Sequence, residues 1–391
     1  MTATANLEKS QDKFVPVQTR SERPTSFQVA DFAEVTGREV NWKYTPVRDL
    51  GHLLNGPVGP AKPAVKDPGV AGVDVSWVSR DDERLGTVYP PEDRAQAQAW
   101  NAFEEALAIN ITGEDYKEAI VRLSDYGSEA QAGHIFIDVA PHARGMLVIV
   151  YEGTAQLTEN VEIRVGDGAE VTVVSLAEWD DEAVHLSAHN AEIGRDAFLK
   201  HILVSLSGKI VRVNPSAHLR HAGGNAELFG LYYADPGQHL EHQVWINHVA
   251  PNCRSRVTYK GALQGDNANT VWIGDALIGP DASGTDTYEE NRNLLLGDGP
   301  RADSVPNLEI QCGEIEGAGH ASATGRFEED QLFYLMSRGI EEAVARRLVV
   351  HGFLNEIVQE IGNEEIVAEL EERLEAELAA ADEVIRAGMK A

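Results

Sequence analysis

Two cysteines in 391 residues leave this chain little thiol chemistry of its own. A cysteine-rich zinc site or an iron-sulfur cluster held by one polypeptide takes about four thiolates, so Cys253 and Cys312 cannot supply either alone. Basic residues are scarce beside acidic ones. Lys and Arg number 33 against 63 Asp and Glu, a formal charge of -30, and such a field repels phosphate backbones and anionic lipid. The expectation is no nucleic acid and no membrane among the partners. Long apolar runs are missing too: none approaches the roughly 18 residues that span a bilayer. The opening MTATANLEKSQDKF has no apolar core of a secretory signal, so a cytoplasmic protein is expected. The sequence also lacks GxxxxGK[ST], a GxGxxG opening a helix, GxSxG and HExxH. With those go the phosphate loop, the dinucleotide fingerprint, the nucleophile elbow and the metalloprotease helix.

What is present begins with a polar stretch. Residues 1–25, with Pro16 and Pro24, read as a flexible tail. Residues 26–132 read as an α-containing N-terminal subdomain, anchored first by Phe32, Trp42 and Tyr44 and interrupted by the Pro- and Gly-rich loop NGPVGPAKPAVKDPG. In PPEDRAQAQAWNAFEEALAIN, Pro90 and Pro91 open a helix, with Glu92 and Asp93 at its positive dipole end. Trp100, Phe103 and Leu107 form its expected buried stripe. Residues 133–327 have a different texture: short alternating runs such as HIFIDV, MLVIVY, EVTVVSL and TVWIG, parted by Gly166-Asp167-Gly168, Gly223-Gly224-Asn225, Asp235-Pro236-Gly237 and Asp266-Asn267. About ten strands with no helical pattern between them make an all-β body. Periodicity alone leaves sandwich, barrel and β-helix open.

Residues 328–391 read as helical, with one apolar stripe at Val344, Leu348, Val349, Phe353, Ile357 and Ile361 and another at Ile366, Leu370, Leu374, Leu378 and Ile385. Between body and helices lies LEIQCGEIEGAGHASATGRFEEDQLFYLMSRGI. It starts as a strand with Leu308 and Ile310 on one face, passes through a small-residue segment around His320, and ends in a helix over Asp330 to Arg338. Leu332, Phe333, Leu335 and Met336 form that helix's stripe, with Gly339 placed as a C′ glycine and Ile340 as its capping contact.

EEDQLFYLMSRGI, followed by a helix ending HGFLNEIV, resembles the C-terminal signature of the SufB/SufD family of iron-sulfur cluster assembly scaffolds. NHVAPNCRSRVTYKGAL, NRNLLLG and VPNLEI extend the resemblance upstream in the same order. It implies a mainly β protein, a right-handed parallel β-helix core with helical subdomains at both ends. It also implies a non-catalytic scaffold that pairs with SufB through the β core and binds the SufC ATPase through the C-terminal helices. Phe333, Arg338, Gly339, Ile340 and Phe353 are the contacts expected there. His320 matches the family histidine and is expected as a metal ligand shared across the interface, where a nascent cluster forms; no cofactor is expected on the chain alone. The small neighbours Gly319 and Ala321 and the absence of a cysteine near Asn291 depart from SufB-like sequences and place the resemblance on the SufD side, where Ala318 stands in place of the cysteine that many SufD-like sequences carry two residues before this histidine. A homodimer through the same β edges is the competing assembly.

Other histidines offer a different reading. His218, His221, His239, His242 and His248 crowd one segment and raise the alternative of a metal-dependent β-fold enzyme. Three-residue spacing on a strand puts His239 and His242 on opposite faces, which weighs against a common ion. Cys253 is expected as a buried turn residue, and Cys312 as a candidate substitute ligand.

Overall fold

The computed structural model describes residues 20–327 and 329–388, so residues 1–19 of the expected tail lie outside the described residues. Its body is a parallel β-solenoid of about 8 turns. Three 3-10 turns (Arg20–Glu22, Val29–Asp31, Val47–Leu50), α1 (Gly51–Leu54) and the short strands β1 (Gly59–Pro60), β2 (Ala64–Lys66) and β3 (Val73–Ser79) come first. After α2 (Arg94–Ala102) the solenoid runs through β4 (Glu105–Ile111), β5 (Lys117–Ser124), β6 (Ala130–Val139), β7 (Arg144–Gly153) and β8 (Gln156–Val165). It continues with β9 (Glu170–Trp179), β10 (Val184–Ile193), β11 (Phe198–Ser205), β12 (Ile210–Leu219), β13 (Asn225–Ala234) and β14 (His239–His248). The last turns are β15 (Arg254–Leu263), β16 (Asn269–Ile278), β17 (Asp286–Leu295), β18 (Arg301–Ile310) and β19 (Gly317–Arg326).

From β4 onward even-numbered strands stack into one sheet, β18-β16-β14-β12-β10-β8-β6-β4, which β3 extends, and odd-numbered strands into the other, β19-β17-β15-β13-β11-β9-β7-β5, which β2 extends. In-register partners lie one coil apart, as Ala130 with Gln156 early and Asn269 with Arg301 late. The turn clusters read from the sequence fall between these strands, where residues such as His142, Asp196 and Asn252 take positive φ. That conformation suits Asn, Asp and His best after glycine, and it reverses the chain within a few residues.

Alternation along each strand then decides the packing. Inward residues Ile137, Ile149, Val161, Val173, Leu199, Val211 and Leu228 fill the lumen between the sheets. The outer face of the odd sheet carries Met146, Val148, Val174, Ile202, Val204 and Leu231 and is covered by the second and third of the C-terminal helices. The three helices are α3 (Glu329–Ser337), α4 (Glu342–Glu360) and α5 (Glu364–Gly388). Val350, Leu354, Ile357 and Val358 from α4, Ile361 at its C-cap, and Ile366, Leu370, Leu374 and Leu378 from α5 are buried there; each is worth about 1.5–3 kcal/mol by burial. The α5 stripe is as expected over those four, while the side chain of Ile385 lies outside the described residues. On α4 the buried face is rotated from the expected one, leaving Leu348 50% exposed. No described helix is long and apolar enough to cross a membrane.

The N-terminal segment covers the even sheet through charge as well as apolar contact. Trp42, Leu50, Leu53 and Leu54 pack on Val184, Leu186 and Ile210. Arg20 sits in the region expected as tail, yet it is buried and pairs with Glu92 at 2.5 Å. Glu92 is therefore an ion-pair partner rather than only a dipole-end acid. Asp93 does cap α2, accepting from the Gln96 amide at 3.0 Å. Leu107 corrects the expected helical stripe. The helix ends at Ala102, and Leu107 points into the lumen from β4, where β-branched neighbours continue an alternating pattern. The all-β body thus begins ahead of residue 133, with β4 and β5.

The two ends of the solenoid differ. At the N-terminal end β3 pairs antiparallel with β4 and β2 antiparallel with β5, so the parallel stacking ends there in a seven-residue and a three-residue strand. At the other end β18 pairs only with β16 and β19 only with β17 among the described residues.

Candidate functional site: the open end of the solenoid

The segment around His320 is a strand, β19, and not the loop its composition suggests. Its ten residues pair in register with β17, from Asp286 with Gly317 to Leu295 with Arg326. Glycine, alanine, serine and threonine have little to bury here because no further coil covers them.

Parity fixes where His320 points. On β17, Thr287, Glu289, Asn291 and Asn293 are buried, while Tyr288 is exposed on the outer face. A Cβ added at Gly319 would meet the Tyr288 ring, which puts Gly319 outside and His320 inside. Thr324 shares that parity, and its Oγ1 accepts from Asn293 Nδ2 at 3.3 Å. His320 therefore projects across the mouth of the lumen, in register with Glu289, and is exposed only because the stack stops there.

Behind it the lumen is polar. Asn291 Nδ2 donates to Tyr232 Oη at 2.8 Å, and Tyr232 Oη donates to Asn293 Oδ1 at 2.6 Å. Asn293 Nδ2 reaches Asn291 Oδ1 at 2.8 Å and Ser304 Oγ at 3.0 Å, and Ser304 donates to Asn291 Oδ1 at 2.7 Å. Burial pushes the Tyr232 hydroxyl up, so it stays a neutral donor. Glu289 stands apart. Neither of its carboxyl oxygens has a hydrogen-bond partner, and it is 0% exposed. Burial first, and Asp275 second, push its carboxyl well above the usual range.

The other sequence candidates do not join this site. Cys312 follows β18 in the turn toward β19 and is half-buried and free. Cys253 is buried as expected; its Sγ donates to the His221 carbonyl at 3.3 Å, and burial pushes the thiol up, away from thiolate chemistry. The histidines from His218 to His248 are dispersed, which corrects the alternative of a shared metal centre. His218 stacks on Tyr89 on the outer face of the even sheet, and His239 pairs there with Glu241 at 2.9 Å. Burial opposes charge on Glu241, but Arg212 and His239 outweigh it and hold the carboxyl at about 2. His242 and His248 face the lumen, bonded to Ser205 at 3.1 Å and Ser255 at 2.9 Å, and burial pushes them down to about 3 and about 4. His221 is exposed in a turn. Among the described residues no group of three or more His, Cys, Asp or Glu could hold a metal ion.

The sequence did not bring together His185, His189 and His201, which meet in mid-lumen. His185 Nε2 lies 2.7 Å from Glu159, and His189 Nδ1 lies 3.2 Å from His201 Nε2. Burial pushes His201 down to about 4. A rung-to-rung alignment of inward positions would have found them; hydropathy could not.

On the C-terminal helices, Phe333 is 73% exposed and Tyr334 57%, with Arg338 over the Tyr334 ring. Gly339 takes φ +87, and the Ile340 amide donates to Leu335 O at 3.3 Å, closing a Schellman end. Phe353 is half-buried against the odd sheet, with Lys260 over its ring. A cavity of about 770 Å³ lies away from His320 in a cleft beside α5 lined by Asp181, Asp235, Asp266, Asp298 and Glu377.

Residues 121–353 match the family described as SUF system FeS cluster assembly, SufBD core domain. The chain is 46% identical over 364 residues to an iron-sulfur cluster assembly SufBD family protein of Mycobacterium leprae, covering 89% of this chain and 93% of that one. A second SufBD family protein of the same organism is 26% identical over 220 residues, covering 56% of this chain and 25% of that one. The iron-sulfur cluster assembly protein SufD of Escherichia coli is 24% identical over 386 residues, covering 87% and 89%. A two-sheet solenoid whose match to the family model spans β5 to α4 leaves one assignment: the chain belongs to the SufBD family of iron-sulfur cluster assembly proteins.

Proposed function

We propose that this chain is a SufD-type scaffold component, a non-catalytic cytoplasmic protein that supports assembly of an iron-sulfur cluster it does not hold alone. It pairs the open end of its solenoid with a SufB-type paralogue and docks a SufC-type ATPase on α3 and α4. The observation that carries this reading is the uncapped last coil, where two sheet edges end together and His320 crosses the mouth between them. Unpaired strand edges are templates for another chain. An imidazole is a suitable donor to iron, and a second chain must complete a coordination sphere that one histidine and two distant cysteines cannot fill. The iron and sulfide are cargo.

Two features support the finer assignments. The chain resembles two different SufBD proteins of one organism, which fits a cell that supplies a paralogous partner. The exposed Phe333, Tyr334, Met336 and Leu348 give α3 and α4 an apolar surface for a protein partner, and the sequence has no phosphate loop of its own.

Mixing the chain with SufB-type and SufC-type proteins and sizing the product tests the reading. A ternary complex is expected. Ser322→Lys, an inward charge on the edge strand, should abolish pairing with the SufB-type protein, and Phe333→Asp should abolish SufC-type binding alone. A wild-type chain that stays monomeric in the mixture sinks the proposal, and self-association that persists with the paralogue in excess favours the homodimer.

A further inference from the structure

We infer that Glu289 is a second protein ligand beside His320, so that the open end holds a two-donor site for a divalent cation of the iron class. This inference rests on the reading of His320 given above and adds a residue from the coil beneath it.

The column at this position runs Val257, Glu289, His320 through consecutive coils in register. Val257 is fully buried in the apolar lumen, and the next coil replaces it with a carboxylic acid that no neighbour satisfies. Its Oε2 lies across the lumen against Gly274, where an added Cβ would come within 2.8 Å of it. The absence of a side chain at Gly274 makes room for the carboxyl. Both oxygens are without a hydrogen-bond partner, and the residue is 0% exposed. A buried polar group left unpaired is costly; Asn291, Asn293 and Ser304 at this end are bonded to one another, whereas Glu289, like the neutral Tyr259 Oη, Thr270 Oγ1 and Trp272 Nε1, has no hydrogen-bond partner and alone of these groups carries a carboxyl that can bind a cation. The unpaired oxygens therefore mark a ligand.

Geometry supplies the rest. Adjacent strands lie about 4.8 Å apart, and Glu289 and His320 leave them on the same face. Donors at about 2.0–2.2 Å from one ion stand roughly 3 Å apart, a separation that an acid and an imidazole on neighbouring strands span. Carboxylate with imidazole suits iron, zinc and cobalt alike. The remaining positions stay open toward the mouth, where a partner or sulfide enters.

Titration of the purified full-length chain with Co²⁺, followed by its visible absorption, tests the site. Binding is expected for the wild type, loss of the band for His320→Ala, and at least about tenfold weaker binding with an altered band for Glu289→Gln. Thermal melting of the metal-free Glu289→Gln chain is expected at or above the wild-type midpoint, so weaker binding cannot be laid to misfolding. If His320→Ala removes the band while Glu289→Gln leaves affinity and spectrum unchanged, the role of Glu289 is overturned and that of His320 stands. If Co²⁺ fails to bind the wild type, or binds equally well to His320→Ala, both are overturned.

Discussion

The first coils of the solenoid and the last are built on the same backbone but filled differently. Around β6 and β7 the lumen holds Ile135, Ile137, Leu147 and Ile149, all buried in one apolar cluster. Around β17 to β19 the corresponding places hold Glu289, Asn291, Asn293, Ser304, His320 and Thr324. Coiled parallel strands satisfy their own backbone hydrogen bonds whatever the side chains are, so the interior is free to change from filling to chemistry. In solenoids stability is a sum of unit and neighbour terms. The early coils can carry that sum while the terminal coil contributes little and stays available.

Graded substitutions along the lumen would break or sharpen this contrast. Ile137→Asn, which removes apolar burial and leaves an amide unpaired, should cost about 3–5 kcal/mol in urea unfolding; a loss under about 1 kcal/mol would show that the early coils do not carry the stability. The mid-lumen histidines should give a smaller effect that depends on pH. His201 is held at about 4 in the folded chain against 6.5 for a free histidine. Below pH 6.5 protons therefore bind the unfolded chain only, and stability is lost as pH falls from 6.5 toward 4. For this one group the loss at pH 5 is about 2 kcal/mol. His201→Leu should accordingly lose about that much less than wild type between pH 7 and pH 5, and equal losses would remove His201 from the acid response. Smallest is the rim. Thr324→Val deletes one long hydrogen bond at an exposed position and should shift stability by no more than about 0.5 kcal/mol. A larger shift would mean that the last coil is structural in its own right.

The legibility of the sequence follows the same gradient. Strands such as HIFIDV and MLVIVY announce themselves because their inward residues are apolar. β10, β17 and β19 do not, because VHLSAHNAEI, DTYEENRNLL and GAGHASATGR place His, Ser, Asn and Glu at inward positions, so alternation in hydropathy disappears although alternation in direction persists. His320 was singled out by resemblance to a family, while composition made its strand look like a loop. Glu289 was invisible: in YEEN it is indistinguishable from a solvated acid, and only register against Val257 reveals it as interior. Leu107 continues the spacing of Trp100 and Phe103 and so reads as helical, whereas Phe103 already ends α2, in extended conformation. Arg20 was lost among polar residues because its partner Glu92 lies 72 positions away.

The antiparallel strands β2 and β3 have a bearing on stoichiometry. A ladder extensible in parallel register at both termini would polymerise head to tail into a fibre, and His320 would be hidden at every junction. Because the N-terminal edge ends in antiparallel strands of three and seven residues, a ten-residue last strand finds no parallel register to continue there, and the head-to-tail fibre is disfavoured.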